Sequence, residues 1–155
     1  MNKEIIEALK KVYDKLIETN ILWVLSGSVS LAIQGVDVEP RNDIDILTDE
    51  SGSEKIYLLL KDFCTKKPEY SSTDKYCSYF SIYEVDGINV EVMGDFQYKL
   101  KNGEWSVKNH LHEIKEFEYE KMKIPVLEIS QELQEYKNLN RQDKVEKIER
   151  FLNND

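Results

Sequence analysis

Apolar residues recur three and four positions apart over residues 3 to 18, at Ile5, Ile6, Leu9, Val12, Tyr13, Leu16 and Ile17. That is the period of an amphipathic helix. Thr19-Asn20 ends the pattern, and the apolar run Ile21 to Leu25 predicts a short buried strand. After the small turn Ser26-Gly27-Ser28, Val29 to Gln34 returns to helical spacing and stops at Gly35, a good helix terminator. Asp43 to Leu47 then alternates acid and aliphatic. Period two turns Ile44 and Ile46 to one face of a strand and sets Asp43 and Asp45 side by side on the other.

The second half continues the alternation of elements. Ser53 is placed to cap a helix over residues 54 to 64, with Ile56, Leu59, Leu60 and Phe63 inward. Lys66-Lys67-Pro68 breaks it, and a loop leads to a β-prone strand from about Cys77 to Val85. Asp86-Gly87 is a two-residue hairpin signal, with Ile88 to Met93 as the partner strand. On that strand Ile88, Val90 and Val92 face one way, and Asn89, Glu91 and Met93 the other. Glu91 is thus an acid in the middle of an apolar strand, where carboxylates are uncommon. Turn chemistry accounts for Asp95. His110 and His112 fall in a polar connector, two residues apart, which is not strong metal-site spacing. Ile114 to Glu120 and Met122 to Leu127 form a further hairpin, with Pro125 indicating an edge strand. From Ser130 the chain is helical to its end, interrupted at Asn140, with Val145, Ile148, Phe151 and Leu152 inward on the last helix.

A chain of 155 residues with 41% apolar content fits a single domain over 1–155 with its own core. No apolar run approaches the roughly 20 residues that span a bilayer, and the charged start MNKEIIEALKK lacks a signal-peptide apolar region. The expected location is cytoplasmic, where Cys64 and Cys77, without metal-type spacing, are free thiols. The net charge of −9 argues against a broad nucleic-acid surface, which needs clustered Lys and Arg. It leaves room for a nucleotide carried with a cation, or for a protein partner.

Asp43 and Asp45 repel each other, and burying them without a partner is costly. A divalent cation is the simplest partner, and magnesium takes oxygen ligands of this kind together with substrate phosphates. The Gly27-Ser28 turn before a helix offers N–H groups and a hydroxyl to a phosphate. A phosphate cradle and a metal pair on adjacent elements are the parts needed for phosphoryl or nucleotidyl transfer.

Gly27-Ser28, the short helix and Asp43-Ile44-Asp45 resemble the G-S…D-x-D signature of the polymerase-beta-like nucleotidyltransferase superfamily. In size the chain is similar to its small stand-alone members, the minimal nucleotidyltransferases. The strong part of the resemblance covers residues 23 to 48, and a weaker match continues through Asp86 to Asp95 and Pro125 to Arg141. It implies an α+β fold: a mixed sheet of about five strands, helices packed on one face, and C-terminal helices. It also implies transfer of an NMP from an NTP such as ATP to an acceptor hydroxyl, with pyrophosphate leaving. Asp43 and Asp45 would hold two magnesium ions, with manganese as a substitute. Glu91 takes the place of the family's third carboxylate, which helps hold one metal and accepts the proton of the attacking hydroxyl. Nucleotide contacts fall on Gly27, Ser28 and Arg41, and on Lys137 and Arg141 from an aromatic-Lys-x-x-x-Arg arrangement at Tyr136, with Lys144 beside them. The acceptor is left open between a small molecule, a protein side chain and a tRNA end. A homodimer or a protein partner is compatible with the small size. The competing reading is a catalytically silent module of the same fold that works through a protein partner, as toxin–antitoxin-associated relatives do.

Overall fold

The computed structural model describes residues 1–108, 111 and 114–154. His110 and His112 lie outside the described residues. Helix α1, Lys3–Leu16, starts at Asn2, whose side chain accepts from the Ile5 N–H at 2.9 Å. It buries Ile5, Ala8, Leu9, Val12, Tyr13 and Leu16, whereas Ile17, just past its end, is 50% exposed. Strand β1 is Trp23–Ser26, α2 is Gly27–Ile33 and β2 is Asp43–Thr48. Helix α3, Glu50–Leu60, is followed by a short 3-10 turn and then by β3, Cys64–Ser72. Strands β4, Tyr76–Val85, and β5, Ile88–Tyr98, form a hairpin, as do β6, Ile114–Tyr119, and β7, Met122–Leu127. Helices α4, Ile129–Asn138, and α5, Gln142–Asn153, complete the fold. No described helix is long and apolar enough to cross a membrane.

The strands form one mixed sheet in the order β3-β4-β5-β2-β1-β7-β6. The pairs β2–β5 and β1–β7 are parallel and the others antiparallel. The expected α+β class holds, with seven strands rather than about five. The strand the sequence concealed is β3. It is mostly exposed and polar, so it carries no period-two signal. It is an edge strand whose ladder to β4 shifts register between Lys66 and Glu69, which accommodates Pro68. Strand β5 also continues past Met93 to Tyr98, with Asp95 at φ 52°. The hairpin turn Asp86-Gly87 has both residues at positive φ, the geometry expected for its sequence.

Two local expectations are corrected. Asp49, not Ser53, caps α3: its carboxylate accepts from the Gly52 N–H, and Ser53 is buried one turn in. Pro125 is not on an edge, because β7 lies between β1 and β6. Strand β7 touches β1 through the single registered pair Leu25–Val126, so the N–H missing at Pro125 forfeits little of a ladder that short. Helices α1 and α3, with Val29 and Ile33 of α2, pack with Ile44, Ile46, Val90 and Val92 into the main core, while the C-terminal helices α4 and α5 gather a second cluster with Leu31 of α2 around Ile129 and Ile148. Leu47 belongs to a third cluster with Val24 and Leu127. Strand alternation therefore turns Asp43, Asp45 and Leu47 away from the α1–α3 face.

Candidate active site

The acids come together through sheet register. Asp45 on β2 is directly opposite Glu91 on the parallel strand β5, and Asp43 is opposite Asn89. Asp43, Asp45 and Glu91 are half-buried, and each offers a carboxylate oxygen within 4.8 Å of the others. Burial, followed by the adjoining Glu91 carboxyl and the Asp43 charge, holds the Asp45 pKa well above the usual carboxylate range. Such a set of hard oxygen donors, crowded and mutually repelling, fits a divalent cation.

The strand–helix junction beside it is tight. Helix α2 begins at Gly27 directly after β1, and Ser26 is paired in the sheet with Asp45. Gly27 has φ +72°, and a Cβ there would collide with the Asp45 carboxylate. A left-handed backbone with no room for a side chain requires glycine. The Gly27 N–H donates to Glu132 Oε1 on α4 at 2.9 Å. Ser28 Oγ accepts from Lys144 Nζ on α5 at 2.7 Å. Helices from the far end of the chain thus close over the turn between β1 and α2.

Asp43 and Asp45 border a cavity of about 450 Å³ lined by Ser28, Val38, Glu39, Arg41, Asp43, Asp45, Tyr136, Arg141, Asp143, Lys144 and Lys147. The size suits a small-molecule ligand. Its lining holds four acidic side chains, Glu39, Asp43, Asp45 and Asp143, and four basic ones, Arg41, Arg141, Lys144 and Lys147. Arg141 is steadied by Asp143 at 3.4 Å and lies over the Tyr136 ring at 5.9 Å from its centroid. Lys147 donates to the Asp37 carbonyl at 3.0 Å. Burial, followed by the Arg141 charge, lowers the Lys144 pKa. Burial raises that of the Tyr136 phenol, which keeps its proton.

Of the residues read from sequence, the fold brings Ser28, Arg41, Asp43, Asp45, Arg141 and Lys144 to this cavity, with Glu91 completing the acid cluster. Gly27 lies beneath it with its N–H engaged by Glu132. Lys137 is exposed and does not line the cavity. Sequence reading missed Lys147 and the buried acids Glu132 and Glu135. The signal for the latter was available: Glu132, Glu135 and Tyr136 are three and four apart, on one face of α4. Burial pushes Glu135 up to about 8. Burial, followed by the Glu135 charge, raises Glu132 well above its ordinary value, against the opposing Gly27 hydrogen bond.

The sequence profile of the aminoglycoside-2''-adenylyltransferase family matches residues 8–149. A candidate nucleotidyltransferase from Thermotoga maritima is 41% identical over 100% of this chain and 96% of its own, with a TM-score of 0.85. The lincosamide antibiotic adenylyltransferase LnuA, solved with lincomycin bound, is 14% identical over 96% of this chain and 97% of its own, with a TM-score of 0.59. The antibiotic-resistance factor ANT(2'')-Ia is 8% identical over 96% of this chain and 83% of its own, with a TM-score of 0.65. At these identities the last two share the fold. No curated protein matches the chain.

Proposed function

The chain belongs to the aminoglycoside-2''-adenylyltransferase family and is a nucleotidyltransferase, and we propose that it moves AMP from ATP to a hydroxyl of a small acceptor, with magnesium held by its acid cluster. The observation that carries this reading is the convergence of Asp43, Asp45 and Glu91 within 4.8 Å, with Asp43 and Asp45 lining a cavity that also holds four basic side chains. That combination supports a catalytic chain over a silent binding module, which has no need for three crowded acids beside a cavity with four basic side chains.

Asp43, Asp45 and Glu91 are the residues that would hold magnesium, and manganese fits the same oxygens. The bound cation supplies charge neutralisation at the phosphates. The chain's own groups do the rest. Lys144, Arg141, Arg41 and Lys147 bind and orient the phosphates, and the hydroxyl of Ser28 contributes on the side of the acids. The acceptor oxygen forms a bond to the α-phosphorus, the bond from that phosphorus to the bridging oxygen breaks, and pyrophosphate leaves with the electron pair. Glu91 takes the acceptor's proton. A small hydroxylated acceptor is favoured by the family's name and by the cavity's size. ATP as substrate and the free thiols Cys64 and Cys77 suit a cytoplasmic setting, with residues 1–155 acting as one domain.

The test is turnover of ATP with magnesium against a panel of hydroxylated small molecules, followed by pyrophosphate release and the acceptor's gain of one AMP by mass spectrometry. Pyrophosphate release tied to one acceptor class, and lost in Asp43→Asn, is the expected result. Transfer that persists in Asp43→Asn would overturn the assignment.

A further inference from the structure

Gly27 is held by two acids. Asp45 lies so close to its Cα that an added Cβ would strike the carboxylate. The Gly27 N–H is taken by Glu132 Oε1 at 2.9 Å, across 105 residues of sequence. Glu132 is only 2% exposed, and its second oxygen, Oε2, has no hydrogen-bond partner among the described residues. A buried carboxyl that satisfies one backbone amide and leaves an oxygen unpaired is costly as packing alone. Its one hydrogen bond goes to the residue against which Asp45 rests.

We propose that Glu132 is a positioning residue: it anchors the Gly27 amide and thereby fixes where Asp45 stands in the acid cluster. The proposal rests on the reading of that cluster as the metal site. The turn has little freedom once this bond is made. Asp45 leaves no space beside the Gly27 Cα, the Gly27 N–H is committed to Glu132, and Ser26 is already paired with Asp45 in the sheet. A second consequence concerns the nucleotide. The Gly27 N–H has a built-in acceptor, so it is not a phosphate donor, and Ser28 Oγ with Lys144 carries the phosphates on this side of the cavity. The sequence pattern suggested a backbone cradle at Gly27-Ser28; the arrangement assigns that work to side chains.

The test compares Glu132→Gln, Glu132→Asp and Glu132→Ala with the wild type. It reads magnesium affinity by calorimetry on the protein without nucleotide, and kcat and KM for ATP in steady state. Glutamine keeps an oxygen that accepts from the Gly27 N–H, so it should stay within about threefold of the wild type. Alanine, and to a smaller degree the shorter aspartate, should weaken magnesium binding and lower kcat by about 10- to 100-fold, the usual effect of losing a group that orients a metal ligand. KM for ATP should change less than about threefold if the phosphates do not use this amide. Should alanine fail to fold, the split between glutamine and aspartate carries the same comparison. A folded Glu132→Ala or Glu132→Asp with wild-type magnesium affinity would overturn the proposal. So would a rise in KM for ATP with kcat unchanged. If the wild type binds magnesium but transfers nothing, the functional reading fails while the titration still judges the role of Glu132.

Discussion

Asp45 and Glu91 stand opposite each other on the parallel strands β2 and β5, and with Asp43 their carboxylates converge within 4.8 Å. Like charges at that spacing repel, and burial adds a desolvation cost to the ionised form. The metal-free site is therefore a source of strain in the fold, and its behaviour on neutralisation can be measured.

Asp45→Asn removes a carboxyl that the metal-free cluster must either hold ionised against its neighbours or keep protonated, a cost to the fold in both cases. The metal-free variant should melt above the metal-free wild type by about 2 to 8 °C, the shift that roughly 1 to 2 kcal/mol of relieved cost produces in a chain of this length. Magnesium should stabilise the wild type and not the variant. Thermal melts with and without the cation check both parts. A lower melting temperature in the variant, with the response to magnesium kept, would sink the proposed cluster.

Removal of magnesium should also expose a pH dependence with a definite sign. Asp45 and Glu132 are raised well above their ordinary values, and Glu135 is pushed up to about 8. The folded chain therefore keeps protons that the unfolded chain has released. Stability then falls as pH rises from the ordinary carboxylate range through neutrality to about 8, where Glu135 titrates in the fold. Glu135→Gln carries no titrating group there and should flatten the fall. Denaturant melts of both proteins between pH 5 and 8.5 measure the difference, and equal slopes would contradict the assignment.

Gly27→Ala places a side chain at φ +72° and drives it into the Asp45 carboxylate. The backbone conformation alone costs about 1 to 2 kcal/mol. The collision displaces Asp45, so transfer should fall by at least about 100-fold, far more than a stability loss of that size would cause. Turnover measured well below the variant's melting temperature separates the two effects.

The basic residues are not equivalent. Lys144 lines the cavity and touches Ser28, whereas Lys137 is exposed outside it. Lys144→Ala should raise KM for ATP about 10- to 100-fold, the worth of a charge-assisted contact. Lys137→Ala should leave it unchanged. A steady-state comparison of the two variants decides which end of the Tyr136 to Lys144 segment serves the nucleotide.

Much of this site was legible in the sequence because it rests on local patterns. Alternation in DIDIL fixes which face the two acids share, and the Asp86-Gly87 turn sets the β4–β5 hairpin that carries Glu91, whereas the parallel β2–β5 pairing that brings Glu91 beside Asp45 is a long-range contact. Other features depend on long-range packing that local periodicity does not encode. Strand β3 is exposed and polar, so its pairing with β4 leaves no hydrophobic signature. The closure of α4 and α5 over the Gly27-Ser28 turn joins residues more than a hundred positions apart. That closure is why the Gly27 amide, open to a phosphate in a sequence reading, is already occupied in the fold.

The most direct test of the metal–nucleotide site is calorimetric titration of ATP into the wild type and Asp43→Asn/Asp45→Asn, each with and without magnesium. Binding to the wild type that requires magnesium, and none to the double variant, is the expected result. ATP binding of equal strength to both proteins, or to the wild type without the cation, would contradict the account.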